Sequence, residues 1–376
     1  MSRVITWLLL LLIPFLSVDA FARRSHLAPE QRDQLAHIQT IYLHVLALTE
    51  DGRVSPKEIT KVVASRFEEI GYRVVIDRTL SHDVEFRVKC EEQKRWVGTT
   101  EQGGDADLPD TPARLWEGPA CQFGYRLNGM DLDWHKEVRT PFEDAGIAAS
   151  QAGVTKSGAY ALGQLAIQLR EFDFPVLAAA EWGQTHRLVE LLQSSRTTKT
   201  RKLTILEIFQ NTPATIAVPH LLRMIEDKAC AEEAIGALSG VGGSSIPILV
   251  DLFQNPERPS YVRAAAAKGL GQVGVKTGNA EVIPPLLNYL RKVLRHMNKS
   301  DDIDFPVLTD VVWAIGQVAN EQAVKLIEEL NYRVWLLHDT SPEMKKLREI
   351  AHVVLKYVDM RYRLMYRLSS GKNLQS

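Results

Sequence analysis

One short phrase recurs along this chain. Ala161-Leu162-Gly163-Gln164-Leu165-Ala166 returns as Ala237-Leu238-Ser239-Gly240-Val241-Gly242, then as Gly269-Leu270-Gly271-Gln272-Val273-Gly274, and again as Ala314-Ile315-Gly316-Gln317-Val318-Ala319. Each copy ends an apolar pattern of helical spacing, and most copies precede a second such pattern. From 239 to 271 is a step of 32 residues, and from 271 to 316 a step of 45. Both fall in the range of helical-hairpin repeats. One helix pair cannot bury its apolar face alone, so such units must stack on one another as a solenoid.

Five or six units fit the pattern. Second helices are expected near 152–166, 199–210, 229–241, 260–273, 306–318 and 343–358, and first helices near 184–194, 216–226, 244–254, 280–296 and 320–337. The first helices carry Pro near their start, as in Val218-Pro219-His220-Leu221-Leu222, Ile246-Pro247-Ile248-Leu249-Val250 and Ile283-Pro284-Pro285-Leu286-Leu287. Pro in a first turn sacrifices no helical hydrogen bond. The second helices carry small residues, as in Val262-Arg263-Ala264-Ala265-Ala266-Ala267-Lys268-Gly269-Leu270-Gly271, which let neighbouring helices approach closely. These paired patterns resemble HEAT repeats of the short type also found in phycobilisome lyases. The resemblance is specific at 216–274 and looser elsewhere. It implies a superhelical binding surface and protein partners.

Upstream, the periodicity changes. Ala28-Pro29-Glu30 opens a short helix to about Ile38, and Thr40 to Leu48 is a β-branched, apolar strand. Ser55-Pro56-Lys57-Glu58 reads as a helix start with Ser as N-cap and Pro at the first position, and Gly71 closes that helix. Arg73 to Ile76 is a further strand. The segment from Asp51 to Glu58 also has the spacing of the second half of an EF-hand loop. Ala47 would be its first ligand, so a turn followed by a helix start is expected instead. Two more strands, Val84–Lys89 and Gln122–Leu127, flank a polar loop from about Gly98 to Gly118. The fold class expected is α+β: a small N-terminal α/β sheet domain over 27–140, an all-α HEAT-like solenoid over 145–365, and a tail over 366–376.

Residues 1–22 have the layout of a secretory signal peptide, with Arg3, an apolar run from Val4 to Leu16, and small residues at Ala20 and Ala22 as cleavage positions. The run is about 13 residues, against the ~20 that a spanning helix needs. The localisation expected is extracytoplasmic, a bacterial periplasm for instance. The alternative is an uncleaved N-terminal anchor. Of three Cys, Cys90 and Cys121 border the two later strands, and an oxidising compartment favours their disulfide over two free thiols. Cys230, beside Ala229 and Ala231, reads as a small core residue.

Net charge is −1, which argues against a general nucleic-acid binder. No Gly-x-Ser-x-Gly, His-Glu-x-x-His, Cys-x-x-Cys or phosphate-binding glycine loop is present. Asp131, Asp133 and His135 alternate along one segment, and Asp301, Asp302 and Asp304 form an acidic run. Both are expected to be solvated polar positions, not metal sites. From Ser341 to Ser376 the chain carries eight Lys or Arg against three acids, and Met360 to Arg367 mixes basic with aromatic residues. That end is expected to cap the solenoid, or to touch a membrane surface or an acidic partner. No cofactor and no catalytic residue is expected. The function implied is a non-enzymatic extracytoplasmic scaffold with a protein partner. Two alternatives remain, an enzyme or enzyme subunit of lyase type on the same scaffold and a membrane-tethered envelope assembly factor.

Overall fold

The β-branched run Thr40–Thr49 forms strand β1, with Ile41, Leu43, Val45 and Ala47 buried on one face. It lies within a mixed seven-stranded sheet. The computed structural model describes residues 27–98, 114–132, 134–318 and 321–369. The cleavage positions Ala20 and Ala22, and Asp133, lie outside the described residues. The chain divides into two compact units, one ending at Leu191 and the other beginning at Leu192.

In the first unit, helix α1 (Pro29–Ala36) precedes β1. Strand β2 (Gly52–Val54) turns back antiparallel on β1, with Gly52 at φ 105° in the turn expected there in place of an EF-hand half-loop. Helix α2 (Lys57–Glu68) begins one residue later than its sequence signals suggest, so Pro56 precedes the helix and Ser55 is not its cap. Its buried stripe is Ile59, Val62, Val63 and Phe67. Strand β3 (Arg73–Val75) then pairs parallel with β1.

Strands β4 (Val84–Gly98) and β5 (Arg114–Leu127) form a long antiparallel hairpin, with β4 parallel to β1. Strand β4 continues past Lys89 to Gly98, where the expected polar loop begins, and β5 starts at Arg114, inside that loop's expected range of Gly98 to Gly118. The ladder continues through a register shift between Glu91 and Lys94, and Arg95 meets Glu117 across it at 2.7 Å. Short strands β6 (Met130–Asp131) and β7 (Lys136–Arg139) both pair with β5. Cys90 and Cys121 are direct cross-strand partners and form a disulfide.

Helices α3 (Ala145–Gln151), α4 (Ser157–Glu171) and α5 (Phe174–Glu181) belong to this same unit, although the sequence groups residues from 145 onward with the repeats. The physical reason is aromatic. Phe174 lies 4.9 Å from Phe123, and Trp182 packs against Phe67, Tyr72, Phe86 and Tyr125, all of them buried. Helix α5 lies outside the helix positions that the repeat pattern predicts. Its opening Phe174-Pro175-Val176-Leu177 repeats the opening Phe305-Pro306-Val307-Leu308 of a later helix, a signal that would have found it. Polar strapping completes the unit. Gln184 accepts hydrogen bonds from Tyr72 (2.7 Å) and Arg187 (2.7 Å) and donates to the carbonyls of Leu35 (3.1 Å) and Ile38 (3.0 Å). Arg187 also donates to Ile70 (2.7 Å) and lies 4.0 Å over the Tyr72 ring. Helix α6 (Thr185–Gln193) carries Arg187 and crosses the division between the units.

The second unit alternates second and first helices: α7 (Lys199–Asn211), α8 (Val218–Met224), α9 (Ala231–Gly240), α10 (Ile246–Gln254), α11 (Ser260–Thr277), α12 (Ile283–His296), α13 (Phe305–Val318), α14 (Glu321–Leu336) and α15 (Pro342–Ser369). The Pro residues expected near the starts of α8, α10 and α12 occupy first turns. The second helices pack in a continuous row, α7 on α9, α9 on α11, α11 on α13 and α13 on α15.

The recurrent phrase lies in that row. A Cβ on Gly240 would overlap the Phe209 carbonyl oxygen of α7. One on Gly271 would stand 2.8 Å from Ala314 Cα of α13 and 2.9 Å from its Cβ. On Gly274 it would overlap Val318, and on Gly316 it would stand 3.0 Å from Val354 of α15. The first copy differs, since Gly163 of α4 faces open space.

Two predictions follow from these contacts. Gly271→Ala should destabilise the protein by roughly 1–3 kcal/mol, because the gain in helix propensity is outweighed by overpacking. Gly163→Ala should stabilise it by about 0.5–1 kcal/mol, since only propensity changes. Urea unfolding of the two variants reads the difference, and shifts of the same sign would contradict this account. Separately, the disulfide closes a loop with a sequence separation of 31 residues. Its removal by Cys90→Ala with Cys121→Ala should cost about 3–4 kcal/mol in the chain-entropy model, measured by the same unfolding in oxidised and doubly substituted protein.

Candidate functional site

Packing at glycine and alanine leaves the polar positions of the second helices on the outside of the row. Across α7, α9 and α11 they border a cleft of about 220 Å³, lined by Gln210, Glu232, Glu233, Lys268 and Gln272 and floored by Gly236 and Gly269. Lys268 Nζ reaches Glu232 Oε1 at 3.0 Å across α9 and α11. Both side chains are substantially exposed, so the pair contributes little to stability and is available to exchange partners. The sequence pattern predicts Lys268 leaning outward and Ala266 inward, and Ala266 is fully buried.

Beneath the cleft, Ser239 fixes the rim. Its hydroxyl lies 2.6 Å from the Gly236 carbonyl and 2.7 Å from Gln272 Oε1. The one hydroxyl proton serves either the Gly236 carbonyl of α9 or the Gln272 amide of α11. At the next second helix, burial pushes the Asp310 carboxyl of α13 up to about 6, with Lys268 and Lys346 opposing the shift and Glu232 adding to it. Acid, base and amide groups therefore follow one another from α7 to α15.

The first-helix side carries a different groove of about 610 Å³ between α8 and α10. Leu222, Ile225, Pro247, Ile248 and Leu252 line it, and Arg258 pairs with Glu226 at its edge at 2.6 Å.

The other positions singled out in the sequence are accounted for by structure. Asp131, on β6, lies 3.4 Å from Arg87 and 3.7 Å from Arg126, and His135 is exposed. Asp304 bonds Ser260 (2.8 Å) and pairs with Arg263 (3.3 Å), tying the 298–304 insertion to the start of α11. Asp302 accepts from the Lys299 backbone at 3.1 Å, while Asp301 is exposed. Among the described residues no group of three His, Cys, Asp or Glu is placed to hold a metal. Cys230 stands just before α9, buried, and burial together with the neighbouring Asp227 raises its thiol pKa, the opposite of what a nucleophile requires. The backbone of α15 is helical to Ser369, but the side chains of 361–367, which include most of the basic-aromatic stretch, lie outside the described residues. No helix among the described residues is long and apolar enough to cross a membrane.

Residues 262–292 match the PBS lyase HEAT-like repeat family. The matched segment covers most of α11, the turn after it and much of α12, so a second helix and the first helix that follows it carry the similarity. No curated protein matches the chain.

The raised Asp310 carboxyl has a thermodynamic consequence. Its folded pKa lies above the ordinary 3.8, so the folded state binds the proton more tightly. Asp310's contribution is then most favourable below about pH 4 and is lost as pH rises through 6. Asp310→Asn should accordingly stabilise the protein by roughly 1–3 kcal/mol at pH 8 and change little at pH 4. Thermal melts of both proteins at the two pH values test this, and an equal shift at both would remove the titration from the explanation.

Proposed function

We propose that this chain is a non-enzymatic extracytoplasmic scaffold whose second-helix face binds a protein partner. The observation that carries this is the polar row of Gln210, Glu232, Lys268, Gln272 and Asp310. It crosses the four second helices α7, α9, α11 and α13 along one side of their row, with Gln210 lying over Gly236. Exposed charges of both signs suit a partner with a matching pattern and confer specificity and association rate more than raw affinity. The HEAT-like match supports a protein-interaction role. The secretory layout of residues 1–22 and the Cys90–Cys121 disulfide support an oxidising compartment outside the cytoplasm. A scaffold role is further supported by the exposed Lys268–Glu232 pair in the cleft, which can exchange its partners for those of a bound protein.

Site-directed photocrosslinking tests the surface. A benzophenone amino acid at Gln272 should yield a discrete protein adduct in cells, whereas the same group at Lys292, exposed on first helix α12, should not. Lys268→Glu should weaken the captured complex by roughly tenfold. Adducts from Lys292 alone would move the binding surface elsewhere, and turnover of a small molecule in the cleft would replace the scaffold with the lyase-type enzyme. Intact mass of the exported protein should show a first residue of Phe21 or Arg23. Retention of residues 1–20 in the membrane fraction would favour the tethered form.

A further inference from the structure

The last repeat departs from the burial pattern of the others. Helix α14 buries Ala323, Ile327, Leu330 and Val334 as a single stripe. On the opposite side, at spacing i, i+3 and i+4, it presents Tyr332, Trp335 and Leu336, which are 66%, 60% and 54% exposed. Two large aromatic residues and a leucine, adjacent and this open, are not scattered surface hydrophobics but a patch. A helix that only capped the repeats would carry polar residues there.

Cations of both helices border the patch, with acids between them. The Arg348 guanidinium of α15 lies 5.1 Å over the Trp335 ring and donates to the Val334 carbonyl at 2.9 Å, which holds a cation beside the exposed indole. Arg333, on the same helix turn, pairs with Glu329 at 2.7 Å and so offsets the nearest acid of α14. Glu328, exposed, lies at i−4 from Tyr332 and borders the patch, and Asp339 in the α14–α15 loop is tied to the Ser341 backbone at 2.8 Å. Lys345 and Lys346 are exposed at the start of α15. On a chain with net charge −1, the segment from 341 to 376 has eight Lys or Arg against three acids, so this end is positive and the remainder is negative. Met360, further along α15, is 60% exposed.

We infer that the outer face of α14 with the start of α15 is a peripheral docking surface for an anionic lipid bilayer. Trp and Tyr partition to the headgroup level with their polar edges in water, Leu336 enters the acyl boundary, and Arg and Lys meet lipid phosphates. The patch lies on the outward side of a helix and is not a groove, which suits a planar partner better than an inserted peptide. This inference does not depend on the second-helix face binding a protein.

Vesicle co-sedimentation of the full chain tests it. The probes are phosphatidylcholine vesicles and vesicles of phosphatidylcholine with phosphatidylglycerol, at low and high salt. Wild-type protein should bind the anionic vesicles and release them as salt rises. Tyr332→Ser with Trp335→Ser and Leu336→Ser should lower that binding on the order of tenfold or more, with circular dichroism unchanged because all three side chains are exposed. Arg348→Gln, which leaves the apolar patch intact, should weaken binding to anionic vesicles and remove part of its salt dependence. Equal binding to both vesicle types, untouched by the triple substitution, is the behaviour of residues 1–22 and would overturn the inference. So would indifference to vesicles accompanied by self-association that the substitution abolishes, since a second copy would then cover the patch.

Discussion

Close approach between successive second helices is the constraint on which the repeat unit depends. Gly240 against the Phe209 carbonyl sets how near α7 and α9 can lie, Gly271 against Ala314 does so for α11 and α13, and Gly316 against Val354 for α13 and α15. With larger residues the helices would be levered apart, and the polar residues on their outer side would no longer form one row. The Lys268–Glu232 pair and the Ser239–Gln272 contact both span α9 and α11, where Gly269 leaves room for Leu249 and Ile235 beneath them. Surface chemistry and core packing are therefore one feature seen from two sides, since a helix that gives its inner positions to Ala and Gly has its long polar side chains left for the outside.

The first unit solves its packing problem differently. Its sheet buries one face under α2, α4 and α5 through large aromatic residues, with Phe67, Phe86, Phe123, Phe174 and Trp182 sharing one cluster. Shape in such a cluster comes from edge-to-face and stacked rings, not from small residues. Gln184 and Arg187 add direction. By satisfying backbone carbonyls at Leu35, Ile38 and Ile70, they fix where α1 and the α2–β3 turn meet the segment that follows α5. Charged residues are also buried here. Arg139 bonds Glu137, and Lys94 lies 3.8 Å from Glu137, with burial drawing its ammonium pKa down. Such a group is costly to break and constrains how β7 and the bulged part of β4 lie together.

The two surfaces assigned here are built on opposite principles. The second-helix face is polar, mixed in charge and laid over small residues, as a selective protein interface would be. The α14 face is aromatic, aliphatic and bordered by cations, as an interfacial membrane surface would be. One chain can carry both because a solenoid exposes inner, outer and terminal faces of the same repeated element, and each is free to vary once the buried stripe is satisfied.

Much of the architecture is legible in the residues alone. Helix positions from α7 to α15, the Pro-marked first turns and the facing of Cys90 and Cys121 follow from local patterns: helical periodicity, turn chemistry and strand alternation act over a few residues and leave their mark in sequence. Inward Ala266 and outward Lys268 are legible for the same reason. What only the tertiary structure decides is which partner a periodic face chooses. The phrase at 161–166 looks like its later copies, yet α4 belongs with the sheet and Gly163 meets open space. Nothing local tells Phe174 and Trp182 that Phe67, Phe86 and Phe123 await them, since those contacts join segments about a hundred residues apart, or roughly half that for Phe123. Likewise the raised Asp310 carboxyl, the cleft over Gly236 and the exposed triplet on α14 arise from what neighbouring helices cover or leave bare. Sequence determines the elements and their apolar faces; burial between distant segments, which no single stretch encodes, determines the sites.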